Sequence, residues 1–188
     1  RIVESFHTLN NNTNCLEITD IDKSSSTMKM VTQFLIKGGV IRCFAMAARY
    51  APIAFDEINT ALSNGQIEAT PAPVSCAAVV AQKTGASDMH QVMAAGLAGG
   101  IGLSGGACGA LGAAIWLIAL NTLKEGAAKL DYKNPRGLEA IDKFIKSSDY
   151  EFECSEIVGR RFKDVGDHAG YLREGGCSKI IEVLAATL

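Results

Sequence analysis

The stretch GGIGLSGGACGALGAAIWLIAL, residues 99–120, decides how the chain folds. Gly99, Gly100, Gly102, Gly105, Gly106, Gly109 and Gly112 surround one cysteine, Cys108, and lead directly into an apolar run with the only tryptophan. Glycine supplies positive φ or very close approach between backbones, and it weakens any helix that contains it. So many together cost conformational entropy, which a tightly packed site must offset. Residues 113–120 have no polar face. A helix there is buried on all sides, which makes it the central helix of the domain. Cys108 is then expected in its first turn, where free amide N–H groups and the helix dipole favour a thiolate.

Working outward, 188 residues suffice for a real core, and a net charge of −2 gives no electrostatic reason to expect nucleic acid. Aromatic residues make up only 6% of the chain while alanine and glycine abound, which suits closely packed helices rather than a β-sandwich. Residues 92–123 carry no charged side chain, yet the glycine cluster would spoil a continuous membrane helix, and the apolar part beyond it is short for ~30 Å of hydrocarbon. No membrane span is expected. The chain starts at Arg1 without a recognisable leader; a bacterial cytoplasm is the favoured compartment, with export after processing left open. Six cysteines in this length are too sparse for a disulfide-stapled miniprotein.

The expected fold class is all-α, a compact helical bundle around a buried Gly/Ala-rich central helix. Residues 1–72 read as a polar lead-in, to about Ser26, followed by a helical region; residues 73–188 read as a cysteine-bearing helical domain. In the first part, Met28, Val31, Phe34 and Leu35 have helical spacing, with Thr27 as cap and Gly38-Gly39 as stop. A second helix is expected over 40–51, ending at Pro52, and a third over 53–62. Residues 65–73, with Pro71 and Pro73, form a linker. In the second part, Ser75 caps a helix to Lys83 that Gly85 stops, and Ser87 caps the next, with Val92, Ala95 and Leu97 toward the core. Asn134-Pro135 opens a helix with Leu138, Ile141, Phe144 and Ile145 on one face. A short helix starts at Cys154, a polar loop covers 164–174, and a last amphipathic helix covers 178–188.

Cys76, Cys108, Cys154 and Cys177 share one predicted position, the first turn of a helix behind a capping or glycine-rich element. Cys15, in the lead-in, and Cys43, read as a buried inert thiol, do not. If the four helix starts converge, they form a thiolate cage suited to an iron–sulfur cluster (2Fe–2S or 4Fe–4S) or zinc, or two redox pairs. The backbone N–H groups of Gly105 and Gly106 could then approach cluster sulfur. No C-x-x-C pair is present, which counts against an ordinary structural zinc site. The alternatives are a metal-free dithiol–disulfide protein and a structural or partner-binding module in which the cysteines only pack. Two literal motifs, GxGxxG at Gly100 and GxSxG at Gly102, lack the preceding strand that dinucleotide binding or a nucleophile elbow requires. Neither His90 nor His168 follows a C-x-x-C, so covalent haem is unsupported; His168, in a solvated loop, is the nearer candidate proton donor or alternative ligand.

SCAAVVAQ (75–82), GGIGLSGGACGALGAA (99–114), FECSEIVG (152–159) and GGCSKIIEVLA (175–185) together resemble the C_GCAxxG_C_C family of redox-active proteins. The resemblance covers about residues 73–188. It implies a helical fold and carries Cys76, Cys108, Cys154 and Cys177 over as redox-active or cluster-ligating positions. A related domain occurs in split-Soret cytochromes, but residues 1–72 hold no haem-attachment motif, so haem chemistry does not carry over. The resemblance names no catalytic residue, substrate or redox partner; the alanine- and glycine-rich helices leave a homodimer open.

Overall fold

The computed structural model describes residues 1–19, 26, 28, 31–32, 38–63, 74–129, 131 and 133–188. The protein is all-α: among the described residues ten helices form and no strand does, only an isolated antiparallel bridge between Ala107 and Glu153. The chain divides into two compact units, Arg1–Ala69 and Thr70–Leu188. No helix among the described residues is long and apolar enough to cross a membrane.

The first unit corrects the polar lead-in. Helices α1 (Ile2–Asn10) and α2 (Cys15–Thr19) occupy it, and both pack on α3 (Gly39–Ser63). Asn11 takes a left-handed conformation (φ 59°) and closes α1, so the asparagine cluster marks a helix end rather than an unstructured tail. Phe6 meets Tyr50 of α3 edge-on at 4.9 Å, and Arg1 reaches Glu57 at 2.8 Å. The two helices expected on either side of Pro52 are one, with Pro52 inside it. The fixed φ of proline is itself helical, but the helix forfeits the bond to the Ala48 carbonyl and must make room for the ring against it. Cys43, expected to be buried, is half-buried on α3. Phe34 and Leu35 of the expected 27–35 helix, and the 65–73 linker, lie outside the described residues.

In the second unit the capping signals hold. The Ser75 hydroxyl accepts the Ala78 N–H and starts α4 (Cys76–Lys83), with Gly85 (φ 72°) just beyond its end. Ser87 starts α5 (Asp88–Ala95), and Asn134 accepts from Arg136 and Gly137 to start α7 (Pro135–Ser147). Between them runs α6 (Gly109–Lys124), which buries Ala110, Leu111, Ala113, Ala114, Leu117 and Ile118. It packs on α4, α7 and α10 (Ser178–Ala185), and α4 also packs on α5 and α10, so α6 is the central helix that the sequence indicates.

Two faces differ from expectation for one reason. On α5 the residue in the core is Ala94, while Val92 is 63% exposed. On α7 the core face is Ala140 and Phe144, while Leu138 and Ile141 are 52% and 40% exposed. Ala94 and Ala140 take the positions that face the core, with Phe144 as the one large side chain beside them. The bulky aliphatics flank that contact instead of making it. The loop expected over 164–174 is also a helix, α9 (Val165–Arg173), whose first turn Asp164 closes by accepting the Asp167 N–H at 2.9 Å.

The glycine loop before α6 is a compact left-handed turn. Gly99, Gly100, Ile101, Gly102 and Leu103 all have φ between 62° and 80°. Its hydrogen bonds close inward, from the Ile101 N–H to Leu97, Gly102 to Gly96, Leu103 to Ala98 and Gly105 to Gly99, at 2.9–3.0 Å. The loop then folds back onto the start of α6 so closely that a Cβ on Gly109 would lie 1.7 Å from the Leu97 carbonyl oxygen. Gly112, one turn on, has ordinary room: the nearest atom to its added Cβ is a Leu97 methyl at 3.7 Å. Gly109→Ala is therefore expected to lose at least about 2 kcal/mol in urea denaturation, from overpacking against backbone. Gly112→Ala is expected to gain up to about 1 kcal/mol through higher helix propensity.

Candidate functional site

Four elements each deliver one thiol. Cys76 and Cys154 are the first residues of α4 and of α8 (Cys154–Val158); Cys108 and Cys177 are the N-caps of α6 and α10. A helix start alone does not single these four out, because Cys15 also opens a helix. What distinguishes them is that the second unit gathers them. The charge on Cys108 acts on Cys76, those on Cys108 and Cys76 act on Cys154, and all three act on Cys177. All four are free thiols, with Cys76 and Cys154 buried and the other two half-buried.

Local hydrogen bonding explains how distant residues meet. The segment before α8 is stitched to the end of the glycine loop: the Cys108 N–H donates to the Phe152 carbonyl at 3.0 Å, and the Cys154 N–H donates to Gly106 at 2.7 Å. Ser155 adds two bonds to the Gly105 carbonyl, from its N–H and its hydroxyl, both 2.9 Å. Gly105 (φ 80°) has no room for a side chain, because an added Cβ would meet Arg161 at 2.8 Å. Cys108 and Cys154 are thus brought together by backbone. On the other side, α10 packs on both α4 and α6 and brings Cys177 to Cys76 and Cys108.

The glycine amides do not all point where the sequence suggests. The Gly105 N–H donates to the Gly99 carbonyl and the Gly106 N–H to the Ser104 hydroxyl, at 3.0 and 3.3 Å. The loop amide that acts on a cysteine is that of Gly99, which works against the rise in proton affinity at Cys76. Cys108 faces the N–H groups of Leu111 and Ala110 in the first turn of α6. Beside Cys177, the Tyr171 ring lies against the Gly176 backbone, where an added Cβ would sit 2.2 Å from Cε1. Both Gly99 and Tyr171 escape a reading of the sequence, since each depends on the way the loop and α9 pack.

Electrostatically the site reverses the expectation of an activated thiolate. Burial pushes the Cys76 thiol up to about 11, with Cys108 adding to the rise. Burial also raises Cys108, against the pull of the Leu111 and Ala110 amides. Burial and then the neighbouring sulfurs carry Cys154 and Cys177 to about 12 each. Taking a thiolate out of water costs more than one or two amide donors return. Among the described residues no three His, Cys, Asp or Glu side chains are grouped so as to hold one metal ion.

His168 is not in a solvated loop. It is 2% exposed on α9, meets the Phe162 ring edge-on at 4.8 Å, and its Nδ1 has no hydrogen-bond partner. Burial lowers its proton affinity, so it stays neutral. His90 packs edge-on to Trp116 at 5.6 Å. Ser104, the centre of the GxSxG match, donates its hydroxyl to the Gly100 carbonyl, and Asp167 is held well below the carboxylate range by the paired Arg160 guanidinium.

Each thiol holds its proton more tightly in the folded chain than in the unfolded one. Their contribution to stability is intact below the ordinary thiol value of 9.0 and is lost as pH climbs toward 11 and 12. The urea midpoint of the reduced, chelator-treated protein should fall between pH 9 and 11, and the fall should be shallower in Cys154→Ala. An equal slope in the two proteins would contradict the burial of that thiol.

Compared with known proteins, residues 73–188 match the family described as "Putative redox-active protein (C_GCAxxG_C_C)". No curated protein and no solved structure matches the chain. With all four gathered thiols inside a match that spans more than half of its length, the chain belongs to the C_GCAxxG_C_C family of redox-active proteins.

Proposed function

We propose that the second unit holds an iron–sulfur cluster through Cys76, Cys108, Cys154 and Cys177, for electron transfer or redox sensing. The observation that carries this reading is that the second unit places four free thiols, each buried or half-buried, at four separate helix starts. The four thiols are neutral as they stand, and only as thiolates, the form that ligates a metal, would they need a positively charged group bound among them. When bound, a cluster supplies a one-electron couple whose potential responds to hydrogen bonds at the sulfurs and to solvent exposure.

The donor chemistry fits that group. In tetrahedral zinc sites the Zn–S distance is about 2.3 Å, which holds sulfurs roughly 3.8 Å apart. Four cysteine thiols are an ordinary ligand set for a 2Fe–2S or 4Fe–4S cluster, and no C-x-x-C pair is present to form an ordinary structural zinc site. The chain's own residues then have separate tasks. The Gly99 amide favours negative charge at Cys76, and the Ala110 and Leu111 amides in the first turn of α6 do so at Cys108. The apolar surroundings, with Ala77, Val80, Ala110 and Ile181 buried nearby in the core, exclude water. A metal-free dithiol exchanger is less well supported, because exchange begins with a thiolate and burial disfavours one at all four positions.

Protein purified without oxygen should show visible charge-transfer absorption, with iron and acid-labile sulfide. Serine at any one of the four positions should remove most of that absorption, whereas Cys43→Ser should keep it. Colourless, iron-free protein after anaerobic reconstitution would overturn the cluster. Unchanged redox behaviour with all four cysteines replaced would leave a helical module in which they only pack.

A further inference from the structure

Helix α3 carries two stripes at heptad spacing on opposite sides, and only one of them is covered among the described residues. Cys43, Met46, Tyr50, Ile53 and Glu57 are half-buried, on the side where Phe6 meets Tyr50 and Arg1 reaches Glu57. The other stripe is Ile41, Phe44, Ala48, Ala51, Phe55 and Ile58. All six are exposed, the four large ones between 44% and 74%. Their alternating steps of three and four residues are the a and d pattern of a coiled-coil seam. The stripe also reads the same in both directions, in its residues, Ile-Phe-Ala-Ala-Phe-Ile, and in its steps.

A palindromic seam complements itself when one helix is turned end for end. With Ala48 beside Ala51 of a second copy, Phe44 meets Phe55 and Ile41 meets Ile58, and every layer pairs an a position with a d position. The central alanines let the two axes approach, and the aromatic layers on either side supply contact area. The same turn sets the end of α3 that carries Arg42 and Arg49 beside the end that carries Asp56 and Glu57, and runs the two helix dipoles in opposite directions. Parallel pairing would set like beside like. The positions that border the seam, Ala45, Ala47, Pro52, Ala54 and Asn59, carry no charge, so nothing repels a second copy. With two basic and two acidic residues the rest of α3 is neutral, unlike the cationic polar face of a membrane-surface helix. Pairing would cover roughly 500 Å² of large apolar side chain on each copy, about 1,000 Å² in total, the size at which an interface becomes specific.

We propose that this face of α3 is the seam of an antiparallel homodimer. The proposal stands apart from the cluster reading, on a helix outside the matched residues 73–188. Sedimentation velocity of the full, reduced chain at about 50 μM should give twice the mass of one chain. Phe44→Lys and Phe55→Glu should each weaken the dimer by roughly 100-fold with unchanged far-UV circular dichroism, because both side chains are exposed in the single chain. Mixed in equal amounts, the two variants should associate again to within about tenfold of the wild type, since the antiparallel pair keeps one Phe–Phe layer and sets the introduced cation against the introduced anion in the other. A monomeric wild type overturns the proposal, including one that instead co-sediments with phosphatidylglycerol vesicles. So does a dimer that both single variants leave intact, because its interface then lies elsewhere. Variants that fail to associate on mixing overturn the antiparallel seam, and a loss of helical signal in the single variants counts against it, because the monomer does not need these exposed side chains.

Discussion

The constraint on which the rest depends is a contact between two backbones, at the place where Gly109 has no side chain. The Leu97 carbonyl occupies the volume that a Cβ would need, and the same carbonyl accepts the Ile101 N–H that closes the left-handed turn. A loop seated this tightly leaves α6 one way to begin. Because α6 is the helix on which α4, α7 and α10 pack, the direction of its first turn fixes where those helices lie. The same seating turns the end of the loop toward Glu153, so that residues 105–108 can pair with 152–155. One missing methyl group thereby sets both the helical core and the approach of Cys108 to Cys154.

Such a loop is expensive in isolation. Ile101 and Leu103 adopt left-handed φ without the freedom of glycine, at roughly 1 kcal/mol or more each, and the glycines around them forfeit more entropy than other residues would. The compensation is visible in the inward hydrogen bonds of residues 101–105 and in the burial of Ala98 beneath them. Strain concentrated beside buried thiols, in a domain otherwise assembled from well-capped helices, is the pattern of a site whose geometry matters more than local stability.

Where the chain's signals are local, the sequence is legible. Ser75, Ser87 and Asn134 cap the helices that they appear to cap, and the all-apolar run after Cys108 is the buried central helix. The legibility fails where tertiary packing decides. The segment VGDHAGYLR holds two glycines and a charged, polar start, yet it is helical because Asp164 caps it and Phe162 and Tyr171 pack it down. Val92, Leu138 and Ile141 lie on the flanks because alanine and glycine take the closest contacts. A list of hydrophobic positions cannot show that inversion. The candidate site divides in the same way: the order and context of the four cysteines can be read from the chain, whereas Gly99 and Tyr171 emerge only once the loop and α9 are packed.

The rise in proton affinity of the thiols follows from that packing and bears on what the domain can hold. Amide donors favour thiolates at Cys76 and Cys108, burial opposes them, and burial prevails at all four positions. Left to itself the site therefore rests as neutral thiols, chemically quiet toward disulfide exchange. Binding a cationic group must displace those protons, and the energy for doing so has to come from the new bonds. A group bound there would also join α4, α6, α8 and α10, whose cysteines lie 32, 46 and 23 residues apart in the chain, so that its loss would loosen the domain at four points at once. A site arranged in this way couples its occupancy to its fold. The proton affinity that makes the thiols inert would also make acid the natural antagonist of any group bound through them.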